Sequence, residues 1–511
     1  MNMGLILAID VGTGSTKVAA YNIDGIQIAA ANSGYATSSP APGLMEQDAE
    51  DWWRATVEGC RELAESGVDM TSVIGIGLSG QMQNCLVLGE DGRPLRPAIL
   101  YSDIRGIEEA HSVASRIGAE AIRAFTANEF TLAATGAKLL WLKAHEPEVY
   151  ARTTTVVSGA KDYVAYRLTG AYATDPTNGA TTGLMNVRTR DWELPFVREI
   201  GLCERMLPPI MPSSARVGAV TRAAAEASGL PEGCPVFCGA GDAGAASVGA
   251  GTVSPERAHC YLGTTGWVAT IDASVPQSPP EGLNVLCDPD PSHYILVAPL
   301  LNAGRAYEWA VATLARLEQK QAEEVGGSVY DIVESKIESV PPGSNGIVFL
   351  PYLAGERSPF TDPNARGVFF GLSEKTTPMD MVRSAMEGVS YAIRQSMTAV
   401  GCMNRVREVV LIGGGSKSDT WAQILADVCE CAILVPQDGA SGPCLGAAAA
   451  AMVGMDILDG YSDVDLPLRI SKRYECREAN AAFYRPLFGI YESLYPAVKG
   501  SFQQLAAARG H

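Results

Sequence analysis

ILAIDVGTGSTKVAAYN, residues 6–22, decides how the rest of the chain is read. An apolar run closes on Asp10, Gly12-Thr13-Gly14-Ser15-Thr16-Lys17 turns the chain, and Val18-Ala19-Ala20-Tyr21 leads back out. The pattern predicts two β-strands joined by a turn of small residues. Glycines let backbone approach a ligand, hydroxyls and free N–H groups receive phosphate oxygens, and a carboxylate beside them can hold a magnesium ion or a water. The stretch reads either as a nucleotide-phosphate cradle or as a tight hairpin with a capping acid.

A second stretch echoes it. Cys260-Tyr261-Leu262-Gly263-Thr264-Thr265-Gly266-Trp267-Val268-Ala269 repeats strand, Gly-Thr turn and strand, with Tyr261 where the first copy has Asp10. A degenerate repeat of this kind implies two related lobes with phosphates between them, divided near residues 251–257. Just before that division, Val236-Phe237-Cys238 runs into Gly239-Ala240-Gly241-Asp242-Ala243-Gly244. An acid at the mouth of a strand, opening a helix of alanines and glycines, repeats the logic of Asp10. The same glycines match a dinucleotide fingerprint, but that fingerprint wants an acid closing the next strand about 20 residues on, and residues 259–265 supply none.

Further polar groups close predicted strands. A strand at 73–78 runs into Ser79-Gly80-Gln81-Met82-Gln83-Asn84, and Pro97 to Tyr101 leads to Ser102-Asp103-Ile104-Arg105. Ligands of α/β proteins sit at such strand ends, which makes Gln81, Gln83, Asp103 and Arg105 site candidates. Asp48 is placed to cap a helix carrying Trp52 and Trp53 as core residues, and the polar segment 175–182 is expected to be able to close over a site. In the second half, Gly304 opens a helix, 320–325 reads as charged and solvated, a long amphipathic helix covers 379–400, and Gly413-Gly414-Gly415-Ser416-Lys417 follows a buried strand. Three glycines there suit either a flat base or phosphates against the backbone, or a tight strand-to-helix turn.

The chain has 511 residues, 47% of them apolar, enough for two domains or a few. Lys and Arg total 39 against 57 Asp and Glu, a net charge of −18, which makes nucleic acid and anionic membranes poor partners for the surface as a whole. The twelve cysteines lack paired zinc spacing and no leader-like segment is read, so reduced thiols and a cytoplasmic setting are expected. Residues 445–454 are too short to span a bilayer and read as a packed helix. The helical stretch at 478–507 can pack on its own lobe or on a partner, which leaves a homodimer open.

Taken together the chain resembles the FGGY carbohydrate kinases of the actin-like ATPase superfamily, and among them the xylulokinases. The Asp10 hairpin, Ser79-Gly80-Gln81-Met82, the Asp103/Arg105 turn, Lys161-Asp162-Tyr163, Gly239-Ala240-Gly241-Asp242, Leu350 through Pro359 with its Gly355-Glu356-Arg357-Ser358-Pro359, Gly367 through Leu372, and Leu411 through Gly415 fall in the family's order. The resemblance implies an α/β protein of two ribonuclease-H-like lobes flanking a cleft, an N-terminal sugar-binding domain at 1–253 and a C-terminal nucleotide-binding domain at 254–511. It implies ATP, Mg2+ and phosphorylation of a sugar hydroxyl, with a ketopentose such as D-xylulose as acceptor. By it Asp242 is the general base, Asp10 positions magnesium and water, and both acids are metal candidates. Gly12, Thr13, Lys17, Thr264, Thr265, Gly304, Gly413, Gly414, Gly415 and Lys417 fall to the nucleotide, and Gln81, Met82, Gln83, Asp103, Arg105 and Asp242 to the acceptor.

Two departures bear on the acceptor. Xylulokinases usually carry Met-His where this chain has Met82-Gln83, and Trp-Asn-Asp where it has Tyr101-Ser102-Asp103. Glutamine offers a donor and an acceptor on a flexible arm, so the hydroxyl being read can change. Another ketose, a polyol or glycerol is the alternative acceptor. From other classes come a nicotinamide oxidoreductase, disfavoured by the missing ribose acid, and a silent sugar sensor or actin-like assembly protein, disfavoured by the retention of both Asp10 and Asp242.

Overall fold

A computed structural model describes residues 4–277, 279–437, 442–465 and 469–508. Its core is two mixed β-sheets built on one plan. In the first, β1 (Leu5–Val11), β2 (Ser15–Asn22) and β3 (Gln27–Gly34) form an antiparallel meander, and β4 (Val73–Gly80) runs parallel to β1 on its other side. Beyond β4 come β5 (Arg216–Ala219) and β6 (Pro235–Phe237), paired antiparallel at the edge, while β7 (Ala240–Gly241) joins the end of β4.

The second sheet repeats the order. β8 (Arg257–Leu262) pairs antiparallel with β9 (Gly266–Asp272), and β9 with β11 (Tyr294–Leu300), while β10 (Asn284–Cys287) adds an extra edge strand on β11. On the other side of β8, β12 (Glu408–Ile412) and β13 (Ala432–Pro436) run parallel, and β14 (Ile470–Tyr474) closes the edge antiparallel. Two ribonuclease-H-like sheets in one chain are the architecture the repeated hairpin implies.

Helices cover the sheets where the apolar spacing predicts them. α1 (Ala49–Glu65) is capped by Asp48, whose carboxylate accepts the Glu50 N–H, and buries Trp52, Cys60 and Leu63. Such a cap contributes about 1 kcal/mol. α2 (Thr135–His145) and α3 (Pro176–Ala180) follow in the first half, and α4 (Asp242–Gly249) springs directly from β7. α5 (Gly304–Leu314), α6 (Pro378–Ala399), α7 (Asp419–Cys429), α8 (Gly442–Gly454) and α9 (Glu478–Ala508) lie in the second half. α9 packs on its own lobe, where Tyr491 is buried and shares a hydrogen bond of 2.7 Å with Tyr352. Residues 320–325 lie in a helix, Arg316–Val325, that buries Glu318 and Ala322. All twelve cysteines are unbonded and ten are buried. Among the described residues no helix is long and apolar enough to cross a membrane.

The two halves interlock through α8 and the end of α4. α8 lies against the first sheet, packing Ala447 to Met452 on Ile6, Ala8, Ala19, Tyr21 and Phe237. At the end of α4, Ala250 packs on Val410 and Leu434 of the second sheet. The crossings are glycine-tight: a Cβ at Gly77 would lie 1.8 Å from the Ala447 carbonyl oxygen, and one at Gly446 would lie 2.0 Å from that of Ala245. A further clasp joins the lobes at the extra strand. The Asn128 amide donates to the Val285 carbonyl at 2.7 Å and accepts its N–H at 2.8 Å, and the Thr177 hydroxyl donates to the Cys287 carbonyl at 2.7 Å.

Candidate active site

The carboxyl ends of β1, β4 and β7 meet at the cleft. Register fixes their order: Asp10 lies beside Ser79 and Ser79 beside Ala240, while Val11 lies beside Gly80 and Gly80 beside Gly241. Asp10 and Asp242, the first residue of α4, are thus brought to one place by three neighbouring strands. Burial raises the Asp10 carboxyl above its ordinary value, with the Ser79 hydroxyl and the charge of Lys17, its cross-strand partner, pulling it part of the way back. Asp242 is pushed up to about 7, first by burial and then by the charge of Asp10, with Asp175 adding to it and the Ala243 N–H opposing. The charge of Asp10 thus disfavours ionisation of Asp242 beside it.

Among the described residues, Asp10 Oδ1 and, on neighbouring loops and helices, Gln81 Oε1, Asn84 Oδ1 and Asn178 Oδ1 are buried without hydrogen-bond partners. A folded protein rarely leaves such atoms unpaired away from a ligand or water site. Among the described residues no set of three His, Cys, Asp or Glu side chains is arranged to hold a metal, so a cation caged by protein ligands does not fit. Magnesium carried on phosphates and held by one or two carboxylates does fit Asp10 and Asp242.

The first turn is braced from below. Gly12 N–H bonds the Ser15 carbonyl at 3.0 Å, and Gln47 donates to the Thr13 carbonyl at 2.6 Å. Buried Gln47 also accepts from Gln81 at 2.8 Å and from the Trp52 indole at 2.9 Å. It ties the turn to the loop after β4, and sequence reading missed it; its only signal is an amide placed directly before a capped helix. The Thr13 side chain stands in the turn with no hydrogen-bond partner among the described residues.

The loop after β4 is equally fixed. Met82 packs so closely on Gly241 that a Cβ there would lie 2.2 Å from its sulfur. Gln83 has φ of 60°, unusual for a residue with a side chain. Asp103 and Arg105 reach each other: the Asp103 carboxylate takes the Arg105 guanidinium at 2.7 Å and the Met45 N–H at 2.6 Å, and Arg105 also pairs with Glu46 at 2.7 Å and lies over Trp141. Their charges are spent on one another, one strand pair away from Gln47.

Segment 175–182, expected to be able to close over a site, is instead part of its buried wall. Asp175 caps α3 through the N–H groups of Thr177 and Asn178 and pairs with Lys161 at 2.9 Å, and Lys161 also holds Asp162 at 2.6 Å and the Cys238 carbonyl at 3.0 Å. A polar sequence looked mobile because its partners lie elsewhere in the chain. The negative neighbours keep Lys161 charged, raising it above its usual value despite burial.

Across the cleft the second turn is held by the start of α5. Gly304 N–H donates to the Gly263 carbonyl at 2.7 Å and Arg305 N–H to that of Thr264 at 3.0 Å. Gly304 must lack a Cβ, which would lie 2.5 Å from the Gly263 oxygen, and Gly413, at φ 92°, lies against Leu262 and the Tyr261 ring. Thr264, Thr265, Gly414 and Lys417 are exposed around this backbone, with Gly415 packed on Leu262. Glu356 is buried beneath it, accepting the N–H groups of Leu301 and Arg357 at 2.8 Å each, and burial pushes its carboxyl up to about 7.

Two duplicated sheets that present paired turns across a cleft define the actin-like ATPase class. Within it the chain belongs to the FGGY family of carbohydrate kinases, whose N-terminal domain model matches residues 5–249 and whose C-terminal model matches 258–455. It is 33% identical over 500 residues to a xylulose kinase of Escherichia coli, covering 96% of this chain and 99% of that one. The xylulose kinase of Rhodospirillum rubrum superposes with a TM-score of 0.89 at 29% identity, covering 98% of this chain and all of that one. A gluconate kinase of Lactobacillus acidophilus superposes with a TM-score of 0.88 at 26% identity, over 98% and 100% of the two chains. The chain is a xylulokinase-like carbohydrate kinase, and kinases of this family take the phosphoryl group from ATP.

Proposed function

We propose that the chain phosphorylates a ketopentose, D-xylulose, with Asp242 as the general base. The observation that carries the reading is the position of Asp242, at the head of α4, beside Asp10 and backed by the acceptor loop through Gly241 and Met82. A sugar hydroxyl is a poor nucleophile, so a carboxylate within hydrogen-bond reach takes its proton as attack develops. A base whose carboxyl stands at about 7 is matched to that task near neutrality. Gln81, Met82 and Gln83, with Asp103 and Arg105 behind them, shape the acceptor side, which belongs to a domain at 1–253. Gly12, Thr13 and Lys17 of the first turn, with Thr264, Thr265, Gly304, Gly413 to Gly415 and Lys417 of a domain at 254–511, make up the nucleotide side in this reading. Magnesium, held by Asp10 and Asp242, would neutralise charge on the phosphates. Closing the lobes excludes water, the competing acceptor.

The substitution of Gln83 for the usual histidine supports a second reading, in which another ketose, a polyol, glycerol or an aldonate such as gluconate is the acceptor. A coupled ADP-release assay with magnesium and ATP across these compounds decides. D-xylulose is expected to give the highest kcat/KM, and a different compound at the top overturns the assignment. A cytoplasmic setting and a homodimer belong to the same proposal; exposed Phe483, Ile490 and Leu505 on α9 suit a contact between copies, to be read by analytical ultracentrifugation.

A further inference from the structure

We infer that Lys138 is a positioning residue for acceptor choice, acting through the backbone of Gln83. This rests on the reading of Gln83 as an acceptor contact. Lys138 lies in the first turn of α2 and is fully buried. Its ammonium donates to two carbonyls, that of Gln83 at 2.6 Å and that of Ala133 at 2.7 Å. Among the described residues no carboxylate lies within ion-pair distance of it; Asp103 acts on it through space, but the Asp103 carboxylate is taken by Arg105.

A buried amine without a counter-ion is costly to keep, and an apolar side chain of similar length would fill the same volume at less expense. What such a side chain cannot do is receive an inward-pointing carbonyl. The Gln83 carbonyl is received by the buried Lys138, and the residue stands at φ 60°, a left-handed conformation uncommon for a residue with a Cβ. The next carbonyl is taken by the same helix, since the Thr135 hydroxyl donates to Asn84 at 3.0 Å. On the other side, Asn84 N–H donates to the Ser158 carbonyl at 2.9 Å. The first turn of α2 therefore grips the loop at two successive carbonyls.

That grip leaves one side chain of the loop unengaged. Gln81 is bound to Gln47 and Asn84 reaches back to the Gln81 carbonyl, whereas the half-buried Gln83 amide makes no hydrogen bond among the described residues. The strain stored at Gln83 and the buried charge beneath it have one common product, the direction of that amide. The role does not depend on the ammonium charge, because a neutral amine still carries two N–H groups for its two carbonyls.

The test compares Lys138→Met, Gln83→Ala and the double variant, alongside the unaltered protein. Turnover of the unaltered protein on the acceptor panel judges the kinase reading by itself. For Lys138→Met the acceptor KM is expected to rise about tenfold and the preference among acceptors to flatten, while KM for ATP stays within about twofold. In the Gln83→Ala background the same change should add nothing further. Equal losses in both backgrounds, or a matching rise in KM for ATP, overturn the inference and leave Lys138 a packing residue. A crystal structure of Lys138→Met tests the same role without turnover: Gln83 should relax from positive φ, and its persistence there sinks the idea. If Lys138→Met alone does not fold, Lys138→Met/Gln83→Gly should, because glycine takes that φ without strain; a double variant that also stays unfolded counts against the role.

Discussion

The two hairpins at the cleft share a frame and differ in what stands on it. In the first, Asp10 lies between Lys17 on one neighbouring strand and Ser79 on the other. In the second, the same position is Tyr261, between Trp267 and Ile412, and the Tyr261 and Trp267 rings stack 4.2 Å apart. Pairing also leaves residues 12–15 in the first turn but only 263–265 in the second. The repeated backbone offers N–H groups and hydroxyls at both places, while a carboxylate survives at one. On the reading proposed above both turns receive phosphates, and only the first carries a carboxylate beside it.

The sharpest way to break that comparison is to remove one group from each side. Asp242→Asn should lower kcat by about 10^3 or more, the range of a lost general base, with KM for ATP nearly unchanged. Thr264→Ala should do the reverse, raising KM for ATP several-fold and changing kcat little. If Asp242→Asn keeps more than about a tenth of the turnover, Asp242 is not the base and the chemistry proposed for the first lobe is wrong.

Next in size is the packing of α8 on the first sheet. Gly77→Ala drives a methyl group fixed to the β4 backbone into the Ala447 backbone carbonyl, where neither side can swing away. Overpacking of this kind costs about 1–3 kcal/mol or more, so a marked fall in melting temperature is expected. An unchanged melting curve would mean that α8 does not lie on β4 as described.

A smaller effect separates Asp242 from the uncharged second hairpin by pH. The ionised carboxylate accepts the proton, and its carboxyl stands at about 7, so kcat/KM should fall about tenfold per pH unit below that value. For stability the sign is opposite. A folded-state value above the ordinary 3.8 means that the folded protein holds the proton more tightly than the unfolded chain. The stability this contributes is complete below about 4 and is lost as pH rises through about 7. Asp242→Asn should accordingly melt higher than the parent at pH 8 and no higher at pH 4. Equal melting shifts at both values would show that burial does not hold the proton on Asp242.

What was legible in the sequence follows the range of the interactions. Both hairpins, the Asp242 strand end and the Asp48 cap are written in neighbouring residues, because glycine turns and buried strands carry local signals. Gln47, Lys138 and the Lys161–Asp175 pair were not, since a lone polar residue in a helical pattern such as Gly136-Ala137-Lys138-Leu139-Leu140 reads as a solvated face until its distant carbonyls are known. The alanine run of α8 likewise announces a packed helix without naming the sheet it packs on. Composition misled at 175–182, where polar residues are satisfied inside the protein rather than by water.

The least of the expected effects concerns the one strand that breaks the duplication. Among the described residues the first sheet has no counterpart of β10, and the first lobe takes hold of the second at this extra edge. Asn128 imitates a neighbouring strand there, giving and receiving one hydrogen bond with Val285 and so satisfying both outward groups of an edge residue. Asn128→Ala removes two such bonds at about 1 kcal/mol each, and the melting temperature should drop by a few degrees. The hydrogen-exchange protection of the Val285 amide should fall with it, because that N–H loses its acceptor. Turnover at saturating substrate should change by less than about twofold, since neither turn is touched and the Thr177 and Cys287 contact remains. A large fall in kcat would instead make the clasp part of lobe closure, and the two hairpins would then differ by how they are brought together as well as by the groups they carry.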